Sequence, residues 1–261
     1  MEIHEETIGQ AHESVVRAIL EDGHEKTVET EPGKKMVTWS YPEAITTIID
    51  KPWKEPLTSK ALPYGPGMIN QYKVDMVKVG PTKFAYTYPN RLFDYPVKGL
   101  STNASRDSMM CLMGNGDGEG VDQVQLLVNR LVEDHGSRRA LAITWVPEID
   151  GKAVEPPCLQ FIHCLLRKTD KVWHAKEMDE DFDVYALDMR AAFRSHDMLL
   201  GAGPNWIGLT GVMEFIIQML AGQWTQPVEI GSLTTFSSDA HIYVESQAEE
   251  IKAFKQILRI S

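Results

Sequence analysis

The sequence predicts a single α+β domain, and three observations carry that prediction. Several stretches place apolar residues at the three-and-four spacing of a buried helical face, β-prone runs fall between them without regular β-α-β alternation, and no internal repeat or linker divides the chain. The 261 residues could make one large domain or two small ones at about 100–200 residues each, and the lack of a linker selects one, 1–261.

The first helix is expected over 7–22. Ile8, Ala11, Val15, Ala18 and Ile19 share one face, Thr7 supplies a cap and Gly23 a stop. From residue 34 to 88 the pattern changes to short β-prone pieces, 36–39 and 45–49, broken by Pro42, Pro52, Pro56, Pro63, Pro66 and Pro81, which reads as edge strands and long loops. A Gly-rich tract at 114–120 precedes an amphipathic helix over 121–133, with Val124, Leu127, Val128 and Leu131 inward. Strands are expected at 140–146, 159–167 and 184–193, with a charged hairpin-like insertion at 168–183. An apolar helix at 209–220, a strand at 241–244 and a helix at 247–258 close the chain.

Charge and cysteine usage exclude several classes. Lys and Arg number 26 against 37 Asp and Glu, a formal net charge of −11 that opposes non-specific attraction to nucleic acid or anionic membrane. The longest apolar stretch, within 209–221, contains Glu214 and Gln218 and falls short of the ~20 residues of a membrane helix. Cys111, Cys158 and Cys164 form no C-x-x-C, and the N-terminus has no basic head followed by an apolar run, so a cytoplasmic location is expected.

The Gly-rich tract fails two functional tests. No Gly-Lys-Ser/Thr follows it, and a calcium loop starting at Asn115 would place Leu126 where a bidentate Glu is required. The eight histidines show no ligand spacing, and His163 and Cys164 on one strand point to opposite faces, so no metal site is expected. Cys158 is different, because Pro156-Pro157 forms a rigid approach to a strand that can present its side chain. A free cysteine is usually a small buried hydrophobe. Here Arg138-Arg139 before it and Arg194-Ser195 after it offer cations that favour a thiolate, and such arginines can also bind phosphate bidentately or serve simply as surface ion-pair elements.

Taken in order, Asp122-Gln123, Ser137-Arg138-Arg139, Trp145, Pro156-Pro157-Cys158, Arg194-Ser195-His196-Asp197, Asn205 and Asp239-Ala240-His241-Ile242-Tyr243 resemble the motifs of the thymidylate synthases and their pyrimidine-nucleotide hydroxymethylase relatives. The match extends over about 121–243. Thr7-Ile8-Gly9, Tyr88-Pro89-Asn90-Arg91-Leu92, Pro157-Cys158-Leu159-Gln160 and Asn205-Trp206-Ile207-Gly208-Leu209 look like the shorter archaeal-type branch, since no Arg-Thr-Gly loop or Glu-Leu-Leu-Trp helix occurs. The resemblance implies a mixed β-sheet that forms a dimer interface, with helices packed on its other face.

It also implies roles. Cys158 would attack C6 of the pyrimidine of a nucleoside monophosphate, and Arg194 would lie near the thiol and, with Ser195, bind the phosphate. Arg138 and Arg139 would reach over from the second subunit of a homodimer with shared active sites. Asn205 would read the uracil edge, His241 and Tyr243 the sugar 3′-hydroxyl, and Asp197 the pterin ring. Tyr88 matches the active-site tyrosine, although Pro89 replaces the glycine that usually follows. Leu159 and Phe193 stand where many members carry His and Gln. By position Glu55 is the expected general base, with Glu43 behind it. The co-substrate would be 5,10-methylenetetrahydrofolate or methylene-tetrahydromethanopterin. Reductive methylation of dUMP is the leading expectation. The alternatives are hydroxymethylation of dUMP, dCMP or CMP, or a catalytically retired nucleotide- or RNA-binding member.

Overall fold

The computed structural model describes residues 1–31, 33–62, 64–81, 86–96, 120–176 and 179–260. Cys111 and the Gly-rich tract before Gly120 lie outside them. In chain order the elements are β1 (Glu2–Glu5), α1 (Ile8–Asp22), β2 (His24–Glu31), β3 (Lys34–Ser40), β4 (Ile45–Ile49), α2 (Pro66–Asp75) and α3 (Tyr88–Phe93). There follow β5 (Tyr95–Pro96), β6 (Gly120–Val121), α4 (Gln123–Glu133), β7 (Leu141–Ile143), α5 (Pro147–Asp150), β8 (Leu159–Ala175) and β9 (Glu180–Phe193). The last are β10 (His196–Asp197), α6 (Ala202–Ala221), β11 (Val228–Ser237), β12 (Ala240–Tyr243) and α7 (Ala248–Leu258). The α+β expectation holds.

A six-stranded mixed sheet runs β1-β4-β11-β9-β8-β7, and a four-stranded sheet runs β10-β12-β3-β2. Strand alternation gives the large sheet two unlike faces. Ile162, Cys164, Met189, Ala191 and Leu233 point inward, where α1, α4 and α6 cover them. Each such large apolar side chain removed from water contributes about 1.5–3 kcal/mol. The opposite face mixes apolar and polar side chains, with His163, Arg190 and Thr234 in register beside Leu141, and its apolar members are uncovered in the single chain: Leu141 is 46% exposed, Ile143 39% and Phe236 45%.

Local signals place several elements correctly. Thr7 caps α1 in a capping box with Gln10, and Asp122 caps α4 through the Gln125 amide. Two expectations change. The pieces at 36–39 and 45–49 are not edge strands: β3 lies between β2 and β12, and β4 between β1 and β11. The strand expected over 140–146 stops at Ile143, since Pro147 opens α5. The charged hairpin expected at 168–183 is present as the outward continuation of β8 and β9, which pair from Leu159↔Phe193 to Ala175↔Glu180.

Candidate active site

Strand register assembles the site. Because Leu159 pairs with Phe193, the preceding Cys158 and the following Arg194 sit across from each other, and the Arg194 amide donates to the Cys158 carbonyl at 2.9 Å. The guanidinium is then clamped: Nε donates to the Pro157 carbonyl at 3.0 Å and Nη2 to that of Pro156 at 2.7 Å, leaving Nη2 3.9 Å from the Cys158 sulfur. The consecutive prolines cannot donate hydrogen bonds and so offer only carbonyls to the arginine.

Cys158 and Arg194 open onto a cavity of about 1420 Å³ whose wall also includes Ser195, Asn205, His241, Tyr243 and Tyr88. Each is delivered by a short path. Ser195 leads into β10, β10 pairs parallel with β12 through Asp197↔His241, and Asn205 follows in the first turn of α6. Seven residues separated by up to 155 positions in sequence thereby face one space.

Arg194 stands beside Cys158 and favours its thiolate, as the sequence led one to expect, but burial opposes it. Burial pushes the thiol up, Arg194 pulls it down, and Asp197 and Glu155 push it up again, so the net direction is upward. Arg138 and Arg139 give no help within the chain. They lie exposed in the turn between α4 and β7, away from the cavity wall.

Three other expected residues are placed differently from what their roles suggest. Glu55 is exposed, off the cavity wall, and its carboxylate turns back to accept the Leu57 amide at 2.9 Å. Its loop is tied to α1 by the Gly9 amide donating to the Pro56 carbonyl. Glu43 is also exposed and lies beside the N-terminal amine. Asp197 is half-buried and off the cavity wall: Oδ1 accepts the Leu199 and Leu200 amides, while Oδ2 accepts Gln247 Nε2 at 2.6 Å. Burial still pushes its carboxyl above the usual range.

Two functional candidates escaped the sequence reading. The Tyr88 hydroxyl accepts the Leu159 amide at 3.2 Å, while the Tyr86 hydroxyl accepts the amide of Cys158 itself and hydrogen bonds to Tyr88. Both tyrosines therefore hold the backbone on which Cys158 stands, and the Tyr-x-Tyr spacing was the available signal for Tyr86. The other is His196, which is 2% exposed, stacks on Phe193 with centroids 3.9 Å apart, and joins Ser237 to Asn205.

His196 supplies a pH prediction. Burial, with His241 and His12 nearby, pushes its imidazole from the ordinary 6.5 down to about 3. Below pH 6.5 the unfolded chain binds a proton that the folded chain refuses. The ring's stabilising effect is therefore complete above that pH and is lost towards pH 3, at up to about 1.4 kcal/mol per pH unit. Urea midpoints should fall between pH 7 and pH 5, and fall less in His196→Phe; equal falls in both proteins would exclude this ring as the cause.

The thymidylate synthase family model matches residues 70–259, which include Cys158, Arg194, Asn205, His241 and both tyrosines but not Glu55. The chain belongs to the thymidylate synthase family. A protein of Methanocaldococcus jannaschii named "Putative thymidylate synthase" is 26% identical over 254 residues, covering 95% of this chain and 93% of that protein. Proteins of the same name from Methanosarcina mazei and Methanosarcina barkeri are 33% identical over 129 residues and 31% over 125, about half of each chain. No helix among the described residues is long and apolar enough to cross a membrane.

Proposed function

We propose that the chain catalyses reductive methylation of dUMP at C5, giving dTMP through a covalent bond between Cys158 and C6 of the base. The observation that carries this reading is the Cys158 thiol held 3.9 Å from a clamped guanidinium at the wall of a cavity that Asn205, His241 and Tyr243 share. The Cys158 sulfur, having given its proton to water, adds as thiolate to C6, which makes C5 nucleophilic; when C5 has been substituted, its proton passes to water and the sulfur leaves as the thiolate, restoring the ring. Arg194 spends Nε and Nη2 on proline carbonyls, and Nη1 remains for the phosphate beside Ser195. Asn205 provides an amide donor and acceptor for the base, and His241 with Tyr243 the contact to the sugar.

The cavity is larger than the 300–1,000 Å³ typical of a pocket for one small ligand, so a pterin fits beside a nucleotide. When bound, a methylene-tetrahydropterin supplies one carbon and the hydride that reduces it. Asp197 is the expected anchor of its ring. The exposed Leu141, Ile143 and Phe236 on the outer sheet face would be covered in a subunit contact, through which Arg138 and Arg139 would reach the partner's phosphate. A soluble cytoplasmic homodimer that binds no nucleic acid completes the reading.

Mass spectrometry of products from dUMP, dCMP and CMP, offered together with methylene-tetrahydrofolate and separately with methylene-tetrahydromethanopterin, tests it. Methylated dUMP with oxidised pterin is expected. A hydroxymethylated nucleotide would replace methylation by the hydroxymethylase reading, and no product with either pterin would favour a retired site.

A further inference from the structure

We propose that His196 and Ser237 are positioning residues that hold the Asn205 amide in one orientation and thereby set which pyrimidine the site accepts. This rests on the nucleotide reading above and names two residues through which its base selectivity operates. Asn205 Nδ2 lies 3.2 Å from His196 Nε2, and His196 Nδ1 lies 3.0 Å from Ser237 Oγ. Asn205 is on the cavity wall, whereas His196 is 2% exposed and Ser237 0%, so water is excluded from the inner two members of the chain.

The chemistry of an amide makes this arrangement consequential. Uracil presents an acceptor at O4 beside a donor at N3, and cytosine presents a donor at N4 beside an acceptor at N3. An asparagine turned by 180° about its terminal bond exchanges its donor and acceptor and so exchanges the base it complements. A free side chain would accommodate both.

Here Nδ2 donates to Nε2, so a neutral ring carries its proton on Nδ1 and gives it to Ser237. Turning the amide would set Oδ1 against the lone pair of Nε2. Relief would require the imidazole to change tautomer and the Ser237 hydroxyl to reverse, inside a dry core where each unpaired polar group is costly. The ring cannot swing aside, because it stacks face to face on Phe193 at 3.9 Å and meets Trp206 edge-on at 6.2 Å. His196 sits between the arginine and the aspartate of the Arg-Ser-x-Asp motif. Leu159, where many relatives carry a histidine, has no polar side chain for this task.

Equilibrium binding of dUMP, dCMP and deoxyribose 5-phosphate to the wild-type protein, Ser237→Ala and His196→Phe/Ser237→Ala tests the inference. Ser237→Ala keeps the imidazole but frees its tautomer, and the double variant removes both inner partners without leaving one orphaned. The ratio of dCMP to dUMP dissociation constants is expected to shrink at least about tenfold in both variants, with deoxyribose 5-phosphate affinity unchanged. A ratio that stays constant while both nucleotides weaken together would overturn the inference and leave only a structural role. Wild-type protein that binds neither nucleotide would instead overturn the nucleotide reading, and the inference with it.

Discussion

The Cys158→Ser protein is expected to turn over dUMP at least about 10³-fold more slowly than wild type, because a serine hydroxyl at this site has no partner able to ionise it and is a far weaker nucleophile than sulfur. Binding should survive, since the phosphate, base and sugar contacts belong to other residues, so kcat falls while the dissociation constant of dUMP changes little. The wild-type pH profile follows from the same geometry. Burial outweighs Arg194 and holds the thiol above its ordinary range, so the reactive thiolate is a minority species near neutrality. The logarithm of kcat/KM should therefore climb with pH from about 7 to about 9 with a slope near one. Stopped-flow or steady-state kinetics would decide this, and undiminished turnover by Cys158→Ser would remove the cysteine from the reaction.

The Asp150→Ala substitution is expected to cost about 3–5 kcal/mol, the range found when one partner of a buried ion pair is removed. Arg91 Nη2 donates to Asp150 Oδ1 at 2.7 Å with side-chain exposures of 6% and 1%, and Oδ2 accepts the Val146 amide at 2.6 Å. Deleting the carboxylate strands a guanidinium whose Nη1 already has no partner among the described residues. The loss should also reach the site, because Arg91 lies 5.9 Å from the ring centroid of Tyr86, whose hydroxyl accepts the Cys158 amide. Urea denaturation measures the first effect and kcat the second. An Arg91→Met/Asp150→Leu protein, with both charges gone, should recover most of the stability; an Asp150→Ala loss below about 1 kcal/mol would show that the pair is not the anchor described.

Much of the architecture was readable where its cause is local. The Thr7 capping box, the apolar face of α4 and the boundaries of β4 follow from residues within a few positions of one another. Elements whose cause is distant were missed. The strand β2 reads His-Glu-Lys-Thr-Val-Glu-Thr-Glu and has no apolar alternation to announce it, and it exists because β3 pairs with it. The strand β11 is masked by Gly231 and by a register shift between Ile230 and Leu233. Helix α6 begins at Ala202, earlier than the expected 209, because Gly203 and Pro204 look like a turn in isolation.

By itself the sequence determined the reactive inventory: a cysteine after two prolines, an arginine-serine pair, an amide and a histidine-tyrosine pair, in an order that resembles one family. Those are covalent facts, independent of how the chain folds. Only the tertiary structure decided which members of the inventory meet. The β8/β9 register set Cys158 against Arg194, while the rest of the fold left Arg138, Arg139 and Glu55 off the cavity wall and put Tyr86 and His196 beside Cys158 and Asn205. Proximity and burial are sums over the whole fold, and for that reason the direction of the Cys158 shift, set by burial against a single arginine, could not be read from neighbouring letters.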